Sequence, residues 1–365
     1  MPDYKLLTPG PLTTSATVKQ AMLTDHCTWD DDYKHITQDI RAALLRLGEV
    51  AEPNYTAVLM QGSGSFAVEA VISSTLTPQH QALVLINGAY GERIAAMLAR
   101  ADVPHIRYDE TYNRTFCKTA IHTHLNEHPN ISHIIMVHCE TTTGILNDIA
   151  AVGEIAAEYG KIFIVDAMSS FGGIAIPIAD WHIDFLISSA NKCIQGVPGF
   201  AFVLAKTARL QETQGRARTL SLDLFDQWQA MQKDGKWRFT SPTHTVLAFA
   251  QALCELEQEG GVNGRYLRYL QNNCLLREKL AALGVHAYID HLRQSPFITT
   301  FLFPDNPAFC FADMYQYVKQ RGYALYPGKL TDADTFRIGN IGEIFESDIE
   351  KVCQAIGDYL ASIQQ

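Results

Sequence analysis

Three short stretches of this chain carry residue types at spacings that could do chemistry. Lys192 lies in Ser188-Ser189-Ala190-Asn191-Lys192-Cys193, directly after the apolar Phe185–Ile187 and just before Gly196-Val197-Pro198-Gly199. Most lysines are solvated, but one held near an apolar pocket has its ammonium form disfavoured and becomes a competent amine nucleophile. Asp166 ends the run Ile162-Phe163-Ile164-Val165, which puts a carboxylate at the carboxyl edge of a buried strand, where ligands bind in open α/β sheets. An acid there can also do no more than cap the next loop. Gln61-Gly62-Ser63-Gly64-Ser65 stands between the apolar Ala57–Met60 and the helical Phe66-Ala67-Val68-Glu69-Ala70. It offers free backbone N–H groups, a positive dipole end and the hydroxyls of Ser63 and Ser65 to an anion. The plainer reading is a helix N-cap whose glycines serve the turn.

Read as GxGxxA, the same letters mimic the dinucleotide fingerprint. That motif needs an acid about 20 residues further on, and Asn87-Gly88-Ala89-Tyr90 stands there without a carboxylate. One phosphate is therefore favoured over a pyrophosphate. A phosphate cradle, a strand-end acid and a desolvated lysine, in that order, are the parts that pyridoxal 5'-phosphate needs. They anchor its phosphate, face its pyridine nitrogen and supply the amine for a Schiff base.

The elements that must position these residues follow from hydrophobic patterning. Short apolar runs at Thr56–Met60, Ala82–Ile86, His105–Tyr108, His133–Val137, Ile162–Val165, Phe185–Ile187 and Gly199–Leu204 alternate with amphipathic stretches such as Phe66–Leu76, Glu92–Arg100 and Ile149–Tyr159. This is the pattern of βαβ units around a buried, mostly parallel sheet sandwiched by helices. After a polar stretch at Lys206–Arg218, a helix is predicted over Thr245–Glu259, ending at Gly260-Gly261. Strands at Phe297–Phe303 and Ala324–Tyr326 with helices at Ala312–Arg321 and Ser347–Ile363 predict a smaller α+β C-terminal domain. The expected division is an N-terminal segment near the active site over 1–20, a large cofactor-binding domain over 21–262 and a small domain over 263–365.

The chain has 365 residues, 47% of them hydrophobic and 19% charged, which excludes a disordered or collagenous polymer. With 29 Lys+Arg against 39 Asp+Glu the net charge is −10, so a nonspecific grip on nucleic acid or an anionic membrane is disfavoured. An anionic substrate must then be held by a few placed cations. The eight cysteines never occur as CxxC and are expected as reduced, mostly buried thiols, and a cytoplasmic location is expected from the lack of a signal-like start. His122-Thr123-His124 and His128 lack the HExxH arrangement and are expected as surface residues, so no metal is expected.

Val165-Asp166-Ala167-Met168-Ser169-Ser170 and Ser188-Ser189-Ala190-Asn191-Lys192 resemble the class V aminotransferases, whose fold is the type I pyridoxal-phosphate transferase fold. Thr8-Pro9-Gly10-Pro11, His138-Cys139-Glu140-Thr141-Thr142-Thr143-Gly144 and Phe336-Arg337-Ile338-Gly339 match the same family, and the likeness runs from residue 6 to about 360. Within it, four longer strings resemble the members that move the amino group of 2-aminoethylphosphonate to pyruvate, giving phosphonoacetaldehyde and L-alanine. They begin at Cys27-Thr28-Trp29-Asp30, Gln61-Gly62-Ser63-Gly64, Asn191-Lys192-Cys193-Ile194 and Phe239-Thr240-Ser241-Pro242. The resemblance implies that Lys192, with Asn191 beside it, is the Schiff-base lysine and that Asp166 partners the ring nitrogen. It further implies that Ser63, Gly64 and Ser65 hold the phosphate and that Tyr90 stacks on the ring. Thr141 would be a hydroxyl near the ring, and Thr240 and Thr243 would reach the phosphate from the second subunit of a homodimer. Arg337 would bind the substrate anion as a planar, bidentate guanidinium. His138 and His244 are read as supporting groups.

Two rivals stand beside this reading: an alanine– or serine–glyoxylate aminotransferase of the same family, and a Rossmann-like oxidoreductase resting on GxGxxA. A near-dianionic phosphonate also wants more positive charge than Arg337 alone supplies, and Arg93, Arg238 and Lys329 are the candidates.

Overall fold

The alternation of apolar runs and amphipathic stretches is resolved, in a computed structural model describing residues 4–330 and 333–363, into helices layered on a central sheet. The strands are β1 (Lys5–Leu6), β2 (Tyr55–Gln61), β3 (Ala82–Ile86), β4 (His105–Asp109), β5 (His133–Val137), β6 (Cys139–Glu140), β7 (Ile145–Leu146), β8 (Ile162–Asp166), β9 (Phe185–Ser189), β10 (Phe200–Lys206), β11 (Ile298–Leu302), β12 (Tyr323–Ala324), β13 (Tyr326–Pro327) and β14 (Thr335–Gly339). The helices are α1 (Ala16–Gln20), α2 (Asp31–Leu47), α3 (Gly64–Thr75), α4 (Ala89–Arg100), α5 (Lys118–Glu127), α6 (Ile149–Glu158), α7 (Thr207–Gln211), α8 (Leu224–Asp234), α9 (Thr243–Gln258), α10 (Gly261–Ala282), α11 (Phe311–Gln320) and α12 (Glu346–Ser362).

Seven strands form the central sheet in the order β2-β10-β9-β8-β5-β3-β4. All pair in parallel except β10, which runs antiparallel to both β2 and β9. β3 and β5 are buried along their whole length, as strands covered on both faces must be. Alternate residues feed the two layers: Leu83, Leu85, Ile134, Met136, Phe163 and Val165 pack into one apolar cluster, and Val84, Ile86, Ile135, Val137 and Ile164 into the other. A smaller sheet, β11-β14-β13, carries a third cluster with α10, α11 and α12 that includes Phe301, Phe336, Ile338, Val352 and Ile356. β1 pairs in parallel with β12, and Gly339 N–H donates to the Leu7 carbonyl, which brings the N-terminal residues across to the smaller sheet.

The helix predicted to stop at Gly260-Gly261 does so, α9 ending at Gln258, and after Gly260, at a left-handed φ of 96°, a further helix, α10, starts at Gly261. Two expectations change. Cys139, Cys193 and Cys353 are buried, but Cys27, Cys117, Cys254, Cys274 and Cys310 are exposed. The α5 histidines pack on aromatic rings: His124 lies 5.3 Å from the Tyr108 ring and His122 bonds the Tyr159 hydroxyl at 3.1 Å. Among the described residues no helix is long and apolar enough to cross a membrane.

Candidate active site

The carboxyl ends of β2, β3, β5, β8 and β9 point the same way, and the loops leaving them enclose a cavity of about 200 Å³. Its lining includes Ser63, Gly64, Ser65, Tyr90, Asp166, Asn191 and Lys192, so residues spread over 130 positions of sequence meet at the sheet edge where open α/β folds bind ligands.

Lys192 follows β9 by three residues, and its Nζ donates to the Pro9 carbonyl at 2.6 Å. Gly10, at φ 114°, makes that approach possible, since a Cβ there would lie 2.5 Å from the ammonium. Burial lowers the Lys192 pKa to about 8, against the opposing pull of Asp166. The next turn is braced by Gln195, whose amide donates to the Tyr269 hydroxyl at 2.7 Å and to the Gly342 carbonyl at 3.0 Å. Asp166 closes β8 and accepts from the Met168 N–H at 2.9 Å. Burial raises its carboxyl to about 6; Glu140 adds to the rise, while the Met168 amide, Lys192 and Arg93 oppose it.

Ser63 caps α3 with no side-chain bond to the helix, so its hydroxyl and the first N–H groups of α3 remain available at the cavity wall. Ser65 Oγ accepts from the Arg93 guanidinium at 3.2 Å. Tyr90 sits in the first turn of α4 with Arg93 and Lys329 each 4.9 Å from its ring centre. Arg337, on β14, is only 3% exposed and forms no ion pair among the described residues. Its Nε donates to the Pro327 carbonyl and its Nη1 to the Thr141 carbonyl, both at 3.0 Å, and burial lowers its pKa. Thr141 is buried, and its own hydroxyl has no partner. His138 is buried and held neutral, its pKa lowered to about 3 by burial, with Nδ1 against the Ser170 hydroxyl at 2.9 Å.

Glu140 went unassigned in the sequence, although an acid inside His138–Gly144 was a signal. Its buried carboxylate accepts from the N–H groups of Tyr90 at 3.0 Å, Gly91 at 3.4 Å and Thr142 at 3.1 Å, and from the Thr142 hydroxyl at 2.6 Å. It therefore sits on the positive end of α4 and fixes where Tyr90 and Arg93 point. Thr240 is exposed and Thr243 half-buried at the start of α9, and neither lines this cavity within one chain. His244 bonds Asp25 at 2.9 Å. Arg238 forms an ion pair with Asp226 at 2.9 Å and also lies outside the lining.

The arrangement fits pyridoxal 5'-phosphate on its own chemistry. A helix N-terminus with two unspent donors, a carboxylate destabilised by burial and a desolvated amine share one cavity, while the unpartnered Thr141 hydroxyl lies outside its lining, two residues beyond the lining residue Cys139. The dinucleotide reading fails on topology, because β2 lies at the sheet edge beside the antiparallel β10, with four strands between it and β3, and not in the adjacent parallel βαβ unit that a dinucleotide fold uses.

The model of the family described as aminotransferase class V matches residues 26–332. The chain belongs to the class V aminotransferases. A 2-aminoethylphosphonate–pyruvate transaminase of Lysinibacillus sphaericus is 57% identical over 360 residues, 99% of this chain and 98% of that one. One from Salmonella paratyphi B is 55% identical over 356 residues, 97% of each chain. Among solved structures, the alanine–glyoxylate aminotransferase of a Nostoc species has a TM-score of 0.91 at 23% identity, covering 99% of this chain and 96% of its own. The pyridoxamine–pyruvate aminotransferase of Mesorhizobium loti gives 0.92 at 21%, covering 100% and 94%. The fold is the type I pyridoxal-phosphate fold.

Proposed function

We propose that this class V aminotransferase transfers the amino group of 2-aminoethylphosphonate to pyruvate, giving phosphonoacetaldehyde and L-alanine in phosphonate breakdown. The observation that carries the reading is Arg337, a buried guanidinium held by two carbonyl oxygens and left without a carboxylate. A charge so placed is costly unless an anion arrives to pair with it. Each of the four substrates and products brings such a group. When bound, pyridoxal phosphate supplies an aldehyde that takes up amino groups and a ring that accepts the electron pair released by a departing C–H proton.

The chain's own residues do the rest. Lys192, with a pKa near 8, is partly neutral around neutral pH, so it can act as the amine that holds the cofactor and, once displaced, as the group that removes the proton from the amine-bearing carbon in one half-reaction and delivers one to the corresponding carbon in the other. Asp166 favours a protonated ring nitrogen, because a cation beside it relieves its own buried charge. Ser63, Gly64 and Ser65 would hold the phosphate, Asn191 flanks the lysine, and Tyr90 and the Thr141 hydroxyl would attend the ring. In this reading the enzyme is a cytoplasmic homodimer in which Thr240 and Thr243 complete the partner's phosphate site. The test is a half-reaction panel: cofactor-loaded protein is mixed with 2-aminoethylphosphonate, alanine or serine, and the visible band is followed. Loss of the band with 2-aminoethylphosphonate and its return with pyruvate are expected. Response to serine or alanine, with return by glyoxylate only, would favour the glyoxylate enzymes instead.

A further inference from the structure

The three candidate cations divide by what they touch, and only Arg93 lines the cavity. Arg238 is already paired with Asp226, and Arg93 is tied through Ser65 to the phosphate cradle at the start of α3. Lys329 is different. Its ammonium lies 4.9 Å from the Tyr90 ring centre and forms no ion pair among the described residues. Its backbone follows β13, the strand registered with Tyr326 opposite Arg337. The Pro327 carbonyl that accepts from Arg337 Nε is two residues before it, and Gly328 N–H is bonded to the Thr335 carbonyl. One short, tied segment thus presents Lys329 and braces Arg337. Burial and the like charges of Arg93 and Arg337 lower the Lys329 pKa, opposed by the Glu140 carboxylate, whose own hydrogen bonds go to Tyr90, Gly91 and Thr142 rather than to Lys329.

We infer that Lys329 is the residue that selects phosphonate over carboxylate, supplying beside Arg337 the second positive charge that a dianionic headgroup requires. A monoanionic carboxylate is satisfied by the Arg337 fork alone, so pyruvate and alanine do not need Lys329. The inference rests on the transaminase reading above and narrows it, giving Arg337 to both half-reactions and Lys329 to one.

Lys329→Gln and Lys329→Arg test it in the cofactor-loaded enzyme. Single-turnover rates are measured with 2-aminoethylphosphonate, alanine and pyruvate separately, and calorimetry compares the unreactive ethylphosphonate with propionate. Lys329→Gln is expected to lose roughly 10–100-fold for 2-aminoethylphosphonate and for ethylphosphonate. Alanine, pyruvate and propionate should stay within about twofold, and Lys329→Arg should restore most of the phosphonate loss because a point charge is all that is asked of this position. Equal losses for phosphonate and carboxylate, or no loss for either, would overturn the assignment while leaving the transaminase intact. A wild-type enzyme that turns over alanine and glyoxylate but leaves 2-aminoethylphosphonate unreacted would remove the function, and this assignment with it.

Discussion

At the α3 end of the cavity, Ser63, Gly64 and Ser65 present hydroxyls and backbone N–H groups from one unbroken stretch between β2 and α3. Beyond its lining, Arg337 on β14 and Lys329 just after β13 present full charges, Lys329 against Tyr90, and the carbonyls that steady Arg337 come from Thr141, distant in sequence, and Pro327, nearby. A group that stays is suited by fixed dipoles, which require no rearrangement once formed. Anions that come and go in each half-reaction are suited by a guanidinium fork that pairs equally well with successive partners. On the proposed reading, the resident and the exchanging ends of the site are built from different materials for that reason.

The largest expected effect lies where the two ends meet. Lys192→Ala should abolish covalent attachment of the cofactor while leaving the fold intact, tested by borohydride reduction and peptide mapping. Label found on another lysine contradicts the assignment.

Next is Arg337→Ala, which should weaken 2-aminoethylphosphonate and pyruvate together by roughly 2–5 kcal/mol each, since the contact is buried. Arg337→Lys should rescue little, because a point charge does not reproduce the fork. If only pyruvate and alanine weaken in single-turnover kinetics, the exchanging end is not one site.

Asp166→Asn separates chemistry from stability. Turnover should fall by about 3 kcal/mol, judged from the usual loss on removing one preorganised electrostatic group, with cofactor affinity changed much less. The cofactor-free protein should respond oppositely. With a native pKa of about 6 against an ordinary 3.8, the folded chain holds a proton between those values that the unfolded chain has lost. Stability from this carboxyl is therefore full below pH 4, falls as pH rises to 6 and is level beyond. The loss amounts to about 3 kcal/mol. Cofactor-free Asp166→Asn should lack the decline and unfold later than wild type at pH 7.5 in denaturant titrations; an unchanged pH profile contradicts the buried-carboxylate account.

The smallest effect tests the partner's share. Mixing refolded Lys192→Ala with a Thr240→Ala, Thr243→Ala double variant should recover roughly a quarter of wild-type activity, since half the dimers are mixed and each has one intact site. No recovery would place both threonines in their own chain's site, and full activity of the double variant alone would place them outside it.

The same contrast governs how much was legible in the sequence. Ala82–Ile86 and His133–Val137 could be bounded to the residue because strands buried on both faces read as unbroken apolar runs. The cradle was legible because its parts are contiguous. Helix α10 was not, since Arg265, Asn272 and Asn273 are buried in it and break the apolar period. Helix α2 was overlooked although Tyr33, Ile40 and Leu44 face inward and Gly48 ends it. Arg337 was found through a motif, but the pairing of Lys329 with it has no local signal. Two residues eight apart are brought together only by the β13–β14 register.

The most direct measurement follows the nitrogen itself. Enzyme, pyruvate and 15N-labelled 2-aminoethylphosphonate are incubated with pyridoxal phosphate, and the products are read by NMR. The account predicts that the label appears in L-alanine, with phosphonoacetaldehyde formed in equal amount. Label that stays in 2-aminoethylphosphonate while the same enzyme aminates glyoxylate from alanine would contradict it.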